Sequence, residues 1–294
     1  MAGLLRNRAD RTQLFLAATG PFILLFPFLV SFNFVFEIAL WIIVWFCLCR
    51  HNHILHNHVH FPFTNSKPVN RLIGLMLGFC TGVTVGNWKI THVHGHHVEH
   101  KIGHLRSREF ARLLSVNGNA AFSGRAALAH AVRTAPLQWF LPLRVMLSGA
   151  FGAPSMRRKF FRFYLGEFFL IYGIVAVVSY CNPAKGIAYF GLMYSLVYLI
   201  SRYTCYATHA ASISGSKYSI ANVCLHPKYN AMFWNFGFHV AHHIRPAAHW
   251  TALPALYADL GVHEESDAVL VQTNVVGLFM PTTFVWQRIA DPKA

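Results

Sequence analysis

Three histidines share one face of a predicted helix near the end of the chain. His239, His242 and His243 are spaced i, i+3 and i+4, so on an α-helix their imidazoles point to the same side. Neutral imidazole is a ligand for iron, zinc, copper and nickel. In a chain that is 55% hydrophobic, three adjacent imidazoles are costly to bury without a partner. The spacing therefore predicts one part of a metal site.

The first histidine cluster along the chain, H-N-H-I-L-H-N-H-V-H, begins at His51, and the three histidines near the end of the chain form the third cluster. Within it His56 and His60 are i, i+4 neighbours, which can bind one ion from adjacent turns of a helix. The crowding leaves the register open, because His51 with His56, and His53 with His58, offer H-x4-H alternatives.

The second cluster, H-V-H-G-H-H, contains His92, His96 and His97 at i, i+4 and i+5, and His209 stands apart in Y-A-T-H-A-A. Eight or nine histidines exceed what one tetrahedral site can use, so two metal ions are predicted. The other histidines in or near the clusters either orient ligands or face solvent: His51, His53, His58, His94, His100 and His104.

The composition places these clusters in a membrane protein. Only 12% of the 294 residues are charged and the mean hydropathy is +0.39, whereas soluble domains carry about 25% charged residues. The formal net charge of +15 is scattered between apolar runs, which fits an anionic cytoplasmic leaflet and excludes nucleic acid as the expected partner. The six cysteines form no C-x-x-C pair, so neither a zinc knuckle nor a redox dithiol is indicated.

The apolar runs predict four transmembrane helices in two hairpins. Residues 14–49 exceed one span of about 20 residues, and a turn near Ser31–Asn33 divides them; the second helix can continue to His60. Residues 163–203 form the second hairpin, with a break at Cys181-Asn182-Pro183. The basic ends of both hairpins predict cytoplasmic termini.

The fold class is therefore an all-α integral membrane protein with a cytosolic helical cap that carries the histidines. We expect residues 1–294 to form a single domain, with 50–162 and 204–294 cytosolic or interfacial. The run 72–85 is apolar but too short to cross alone, and glycines at every fourth position from Gly74 to Gly86 predict a helix face that approaches another helix closely.

Beyond the spacing, the chain resembles the membrane-bound fatty acid desaturase and hydroxylase superfamily. The pattern is H-x3-H, then H-x3-H-H, then H-x2-H-H, in a four-span chain. His60 is followed by F-P-F-T-N-S-K-P-V-N-R-L-I-G, similar to the aromatic and N-R-x-x-G segment of the family, and W-K-I-T precedes the next cluster, where the family often has Trp-x-x-Thr. The sequence N-F-G-F-H-V-A-H-H-I-R-P-A-A-H-W-T-A-L-P is similar to the form in small bacterial members. The resemblance covers residues 14–254.

The resemblance implies a cage for two Fe²⁺ ions and no catalytic side chain beyond the metal site. It favours the pair one turn apart in the first cluster, because the downstream match is aligned to that pair. Cys205 occupies a position where some members have an asparagine, which removes the water-mediated contact expected there. The implied iron ligands are His56, His60, His92, His96, His97, His239, His242 and His243, with His209 in the place of an additional family histidine.

The activity implied is that of an O2-dependent oxidoreductase, a desaturase that introduces a double bond into a fatty acyl chain or lipid. The alternatives are an alkyl or lipid hydroxylase of the same superfamily and, outside the class, a histidine-rich membrane metal-binding protein. The last alternative predicts charged residues inside the spans, and the runs 14–30 and 187–200 contain none.

The partners expected are the lipid substrate, O2, the membrane and a separate electron donor of the ferredoxin or cytochrome b5 type. The donor is expected to be separate because the chain has no H-P-G-G haem signature, no G-x-G-x-x-G fingerprint and no iron–sulfur cysteine spacing. The expected location is multi-pass in a bacterial plasma membrane, with the active site and termini cytoplasmic.

Overall fold

Long helices dominate the computed structural model, which describes residues 3–97, 124–140, 154–210, 220–260, 270–272 and 286–288. Within these residues four helices are long and apolar enough to cross a membrane: Arg8–Leu29, Phe34–His60, Tyr164–Cys181 and Pro183–His209. Their outward faces carry large apolar side chains such as Phe22, Phe34 and Val177, as lipid contact requires. The predicted four-span, helical integral membrane fold is confirmed.

The chain divides into two compact units, which we describe separately. Unit one comprises Met1–Lys89 and Ala135–Leu199, and unit two comprises Ile90–Thr134 and Ile200–Ala294. The single-domain organisation stays a prediction. The α-helices are α1 (Arg11–Leu29), α2 (Phe34–His60), α3 (Lys67–Thr81), α4 (Val85–Trp88), α5 (Gly124–Thr134), α6 (Pro154–Cys181), α7 (Pro183–Gly186), α8 (Met193–His209), α9 (Pro227–Met232), α10 (His239–Ile244) and α11 (Leu253–Asp259).

One asparagine caps the start of the second helix in each hairpin of unit one. Asn33 accepts a hydrogen bond from the Phe36 backbone N–H at 3.1 Å, and Asn182 accepts one from Lys185 N–H at 3.1 Å. Asparagine is a preferred N-cap because its side-chain oxygen satisfies one of the unpaired N–H groups of the first turn. The breaks therefore lie where the sequence predicts them. Helix α6 begins at Pro154, earlier than the predicted start of its span.

Lys185 ties the two hairpins of unit one together. Its ammonium group donates to the carbonyl oxygens of Pro27 and Val30 at the end of α1, the latter at 2.6 Å. It also lies 3.4 Å from the Glu37 carboxylate, which accepts a hydrogen bond from the Tyr189 hydroxyl at 2.9 Å. The last carbonyls of a helix lack partners within that helix, so Lys185 satisfies groups that apolar surroundings would leave unpaired.

Helix α3 ends beside the spans, and tyrosines satisfy its terminal carbonyls. The hydroxyls of Tyr172 and Tyr198 donate to Gly82 O at 2.7 and 2.8 Å, and the Tyr194 hydroxyl donates to Phe79 O. Gly82 has φ +70°, a conformation that glycine adopts readily at a helix end. The chain then bends by 89° into the helical segment Val85–Val93.

The expectation of one continuous glycine face is wrong beyond Gly78. Gly74 and Gly78 lie in α3, where a Cβ atom on Gly74 would stand 2.6 Å from Val85 Cγ2. Gly82 ends that helix, and Gly86 belongs to α4. Gly74, Gly78 and Gly86 allow three close approaches by neighbouring side chains. Gly82 forms the turn, where a backbone with positive φ ends the helix.

Unit two contains a small sheet that the sequence analysis did not predict. Strand β1 (Val223–Cys224) pairs in parallel with β2 (Leu270–Gln272), which pairs antiparallel with β3 (Trp286–Arg288). Buried residues around β1 and α10 form an apolar core. Strands of two or three residues give no periodic signal. Residues 50–162 are predicted to be cytosolic or interfacial. Within this range, residues 98–123 and 141–153 lie outside the part of the chain that the structure describes.

Candidate metal centre

His56 and His60 lie on the last two turns of α2 in unit one. Their ring centroids are 4.9 Å apart, and their ligating nitrogens lie within 4.8 Å of each other. The Asn57 amide donates to Gln13 Oε1 at 3.2 Å, so Asn57 Oδ1 is the acceptor for His56 Nδ1–H at 3.3 Å. This tautomer places the lone pair of His56 on Nε2, the atom that would bind a metal, as outer hydrogen bonds commonly do for histidine ligands.

The other histidines described in the first cluster bond to the main chain. His51 Nδ1 lies 2.6 Å from Cys47 O and its Nε2 lies 2.9 Å from Leu16 O. His53 and His58 each contact one main-chain carbonyl oxygen, at 3.0 and 2.9 Å. Both H-x4-H alternatives require one of these three rings, so the pair one turn apart at the end of α2 suits a metal best.

Unit two brings three histidines into one group. Nε2 of His97 lies 3.1 Å from Nε2 of His92 and 3.1 Å from Nε2 of His242. The ligating atoms of all three lie within 4.8 Å of one another. Distant parts of the sequence, the second cluster and the third, thus deliver side chains to one point.

A four-histidine group lies beside the first group in unit two. It consists of His96, His209, His239 and His243, all buried, with ligating atoms within 4.8 Å of one another. Nε2 of His239 is 3.1 Å from that of His209 and 3.2 Å from that of His243. The rings of His97 and His243 are 4.5 Å apart, so the two groups are neighbours.

These separations fit metal ligation better than hydrogen bonding between imidazoles. Two nitrogens that each bind one ion at about 2.0–2.1 Å are roughly 3.0–3.4 Å apart. An imidazole Nε2 carries either one hydrogen or one lone pair, so it cannot form good hydrogen bonds to two other Nε2 atoms. His97 and His239 each approach two of them. One metal ion in each group would satisfy the nitrogens of that group at once.

The segment that carries the second cluster is a π-helix, Lys89–His96. Hydrogen bonds in a π-helix join residues five apart, and His92 and His97 meet at that spacing. On an α-helix, i and i+5 point well apart. The i, i+4 spacing predicts that His92 and His96 are α-helical neighbours in one group, whereas the structure places His96 in the other group.

The electrostatics around His243 favour its neutral imidazole. Burial, followed by the charge on neighbouring imidazoles including those of His97, His239 and His209, holds the pKa of His243 well below its ordinary value. A deprotonated Nε2 is the form that binds a metal.

Glu167 on α6 supports the start of the helical segment that leads to His92. Its Oε2 accepts a hydrogen bond from Gly86 N–H at 2.9 Å, and Thr84 Oγ1 accepts one from Asn87 N–H at 3.0 Å. The first N–H groups of a helix have no partner within it. The Glu167 side chain therefore fixes α4, from which the π-helix continues.

Replacing Glu167 with alanine is expected to destabilise the protein by about 1–3 kcal/mol, because the buried Gly86 N–H loses its acceptor. Glu167→Gln keeps a neutral acceptor of the same length and should unfold close to the wild-type temperature. Thermal unfolding in detergent measures both. Equal losses in the two variants would show that the charge, and not the hydrogen bond, is what stabilises this helix start.

All nine predicted ligands lie within the described residues, as a pair in unit one and as groups of three and four in unit two. The side chain of His94 and the whole of His100 and His104 lie outside the described part. Asn235 donates to Trp250 O at 3.1 Å, so it joins the two ends of the third cluster. Several polar residues near the ligands carry no sequence signal beyond their polarity beside apolar runs: the buried Gln13, Glu167, Asn222 and Asn230, and the half-buried Asn57.

Comparison with known proteins identifies one family. The sequence model described as fatty acid desaturase matches residues 7–269, which is most of the chain and includes every histidine of the two groups. No curated protein and no solved structure matches the chain.

Proposed function

The chain belongs to the fatty acid desaturase family, and from this premise we propose that it is an O2-dependent di-iron enzyme that introduces a double bond into a fatty acyl chain or lipid. Family membership and four apolar helices make it an integral membrane protein of the desaturase type. The reaction, the metal and the partners are the proposal.

The observation that carries the proposal is the approach of imidazole nitrogens in two adjacent groups. Nε2 separations of 3.1 to 3.2 Å suit two ions, and one tetrahedral zinc uses only four ligands. Imidazole without thiolate suits iron as well as zinc, copper and nickel, and we propose iron from the resemblance to the desaturase family. The proposed ligands are His56, His60, His92, His96, His97, His209, His239, His242 and His243.

The residues of the chain bind the ions, keep them in place and exclude water. The four-histidine group is buried throughout, which limits the access of bulk water to an oxidising centre. Iron bound there would supply the redox chemistry for removing hydrogen from an unactivated methylene. The balance is one O2, two electrons and two protons consumed, with two hydrogens removed from the substrate and two waters formed.

The substrate and the electrons come from different directions in this proposal. A lipid or acyl chain reaches the site from the bilayer. The two electrons come from a separate ferredoxin or cytochrome b5-type protein that meets the basic cytoplasmic side, because the sequence carries no haem, flavin or iron–sulfur signature. The proposed location is a bacterial plasma membrane, with the metal site and termini cytoplasmic.

Mass spectrometry of the products tests the reaction. Membranes that contain the protein, an acyl or lipid substrate pool, O2 and a reduced carrier protein should yield a product two mass units lighter than its substrate. A gain of sixteen identifies the hydroxylase alternative. Full turnover with a chemical reductant and no carrier protein would contradict the proposal that a separate protein donates the electrons. A chain that binds metal but never consumes O2 in these assays would be a metal-binding protein.

A further inference from the structure

Asn222 donates three hydrogen bonds to the carbonyl groups that surround His209. Its Nδ2 donates to Ala207 O at 2.8 Å and to Ala210 O at 2.7 Å, and its backbone N–H donates to Thr208 O at 2.7 Å. The residue is buried. Carbonyls in the last turn of a helix lack partners within it, so these bonds fix the turn of α8 that carries His209.

The primary amide is the group that this position requires. It offers two N–H donors from one uncharged side chain, and Asn222 Nδ2 donates to two carbonyl oxygens, those of Ala207 and Ala210. A carboxylate of the same shape would place lone pairs against lone pairs at both contacts. The donor role therefore distinguishes Asn222 from an asparagine that only caps a helix.

Asn230 fixes the main chain that leads into α10. Its Nδ2 donates to Cys224 O at 2.8 Å, and its Oδ1 accepts from Gly237 N–H at 3.0 Å. Cys224 N–H in turn donates to Gly237 O at 2.9 Å. Gly237 is thus held at both its N–H and its carbonyl, two residues before His239.

The short strand β1 lies between the two asparagines in the chain. Strand β1 follows Asn222 directly and ends at Cys224, the partner of Asn230. His209 is the last residue of α8 and His239 the first of α10, and their Nε2 atoms are 3.1 Å apart. Helix ends fray, so this separation needs support from outside either helix.

We propose that Asn222 and Asn230 are positioning residues that hold His209 and His239 at the separation that one metal ion requires. This inference rests on the proposed metal site and names the groups that preorganise half of it. Neither asparagine contacts the metal; each acts through the backbone beside a ligand.

Cobalt binding to the metal-free, full-length protein in lipid nanodiscs tests the proposal without turnover. The wild type should bind two Co²⁺ per chain, followed by visible absorption. Asn222→Asp and Asn230→Asp should each weaken one of the two sites by about 10- to 100-fold, as loss of a ligand-supporting contact typically does, and leave the other unchanged.

A matched control is the same substitution where asparagine serves only as an acceptor. Asn182 caps α7 by accepting from Lys185 N–H, and aspartate caps a helix equally well, so Asn182→Asp should bind both ions as the wild type does. Folded Asn222→Asp and Asn230→Asp variants with wild-type affinity at both sites would overturn the inference. A wild type that binds no Co²⁺ would instead overturn the proposed metal site itself.

Hydrogen exchange on the metal-free wild type provides a test that needs no variant. The amides of Asn222, Cys224 and Gly237 all donate within this arrangement, so they should exchange as slowly as amides in the middle of α8. Exchange of all three at the rate of exposed loop amides would show that these contacts do not hold the ligands, and would contradict the proposal.

Discussion

His239→Ala is expected to remove the metal from the four-histidine group and to lower turnover at least about 100-fold. Its Nε2 lies 3.1 Å from that of His209 and 3.2 Å from that of His243. Without it, two ligands lose their common neighbour, and an incomplete ligand set no longer holds iron tightly. Metal analysis should find a loss of about one ion per chain, with turnover measured on the same sample.

The control for this variant is His249→Asn in the same segment. His249 caps a short 3-10 helix, with Thr251 N–H donating to its Nδ1 at 3.4 Å, and asparagine is a good substitute in that role. The His249→Asn protein should retain both ions. If His239→Ala retained both ions as well, His239 would not be a ligand and the four-histidine group would have a different function.

Gly237→Ala is expected to lower the free energy of unfolding by at least about 3 kcal/mol, because the backbone around Gly237 cannot move aside. A Cβ atom there would lie 2.1 Å from Cys224 O and 2.6 Å from Asn230 Oδ1. Overpacking of a tight site typically costs about 1–3 kcal/mol and occasionally more, and here the obstacle is a main-chain carbonyl. Thermal unfolding and metal content should both fall.

Gly173→Ala on α6 is the matched substitution, since a Cβ atom at Gly173 meets nothing within 4 Å. It should leave the unfolding temperature and metal content at wild-type values. Equal behaviour of the two alanine variants would contradict the tight packing of Gly237 against Cys224 and Asn230, and with it the account of how His239 is held.

The sequence predicts the spans well because their signals are local. Apolar length sets the four helices, and the breaks coincide with Asn33 and Asn182, whose capping depends on a few neighbouring residues. The continuation of α2 to His60 follows from an uninterrupted pattern before Pro62. These features require no knowledge of what packs against them.

The sequence also predicts that the histidines of the second and third clusters are ligands, but not which of them belong to each metal-binding group. The division of His92 and His96 between two groups depends on the π-helix, which the spacing alone does not reveal. Local backbone conformation, decided by packing and hydrogen bonds from elsewhere, overrides the α-helical expectation.

The supports of the site could not be predicted because they are long-range. Glu167 and Gly86 are 81 residues apart in the chain, and Gln13 and Asn57 are 44 apart. A single buried amide or carboxyl has no periodicity and no motif. Its partners are defined only once the helices are packed.

Metal analysis combined with Mössbauer spectroscopy is the sharpest test of whether the histidine groups hold two iron ions. Protein prepared with iron should contain two irons per chain, with signals that change when the protein is reduced and exposed to O2. Stoichiometric zinc with less than one iron per chain would contradict the di-iron site.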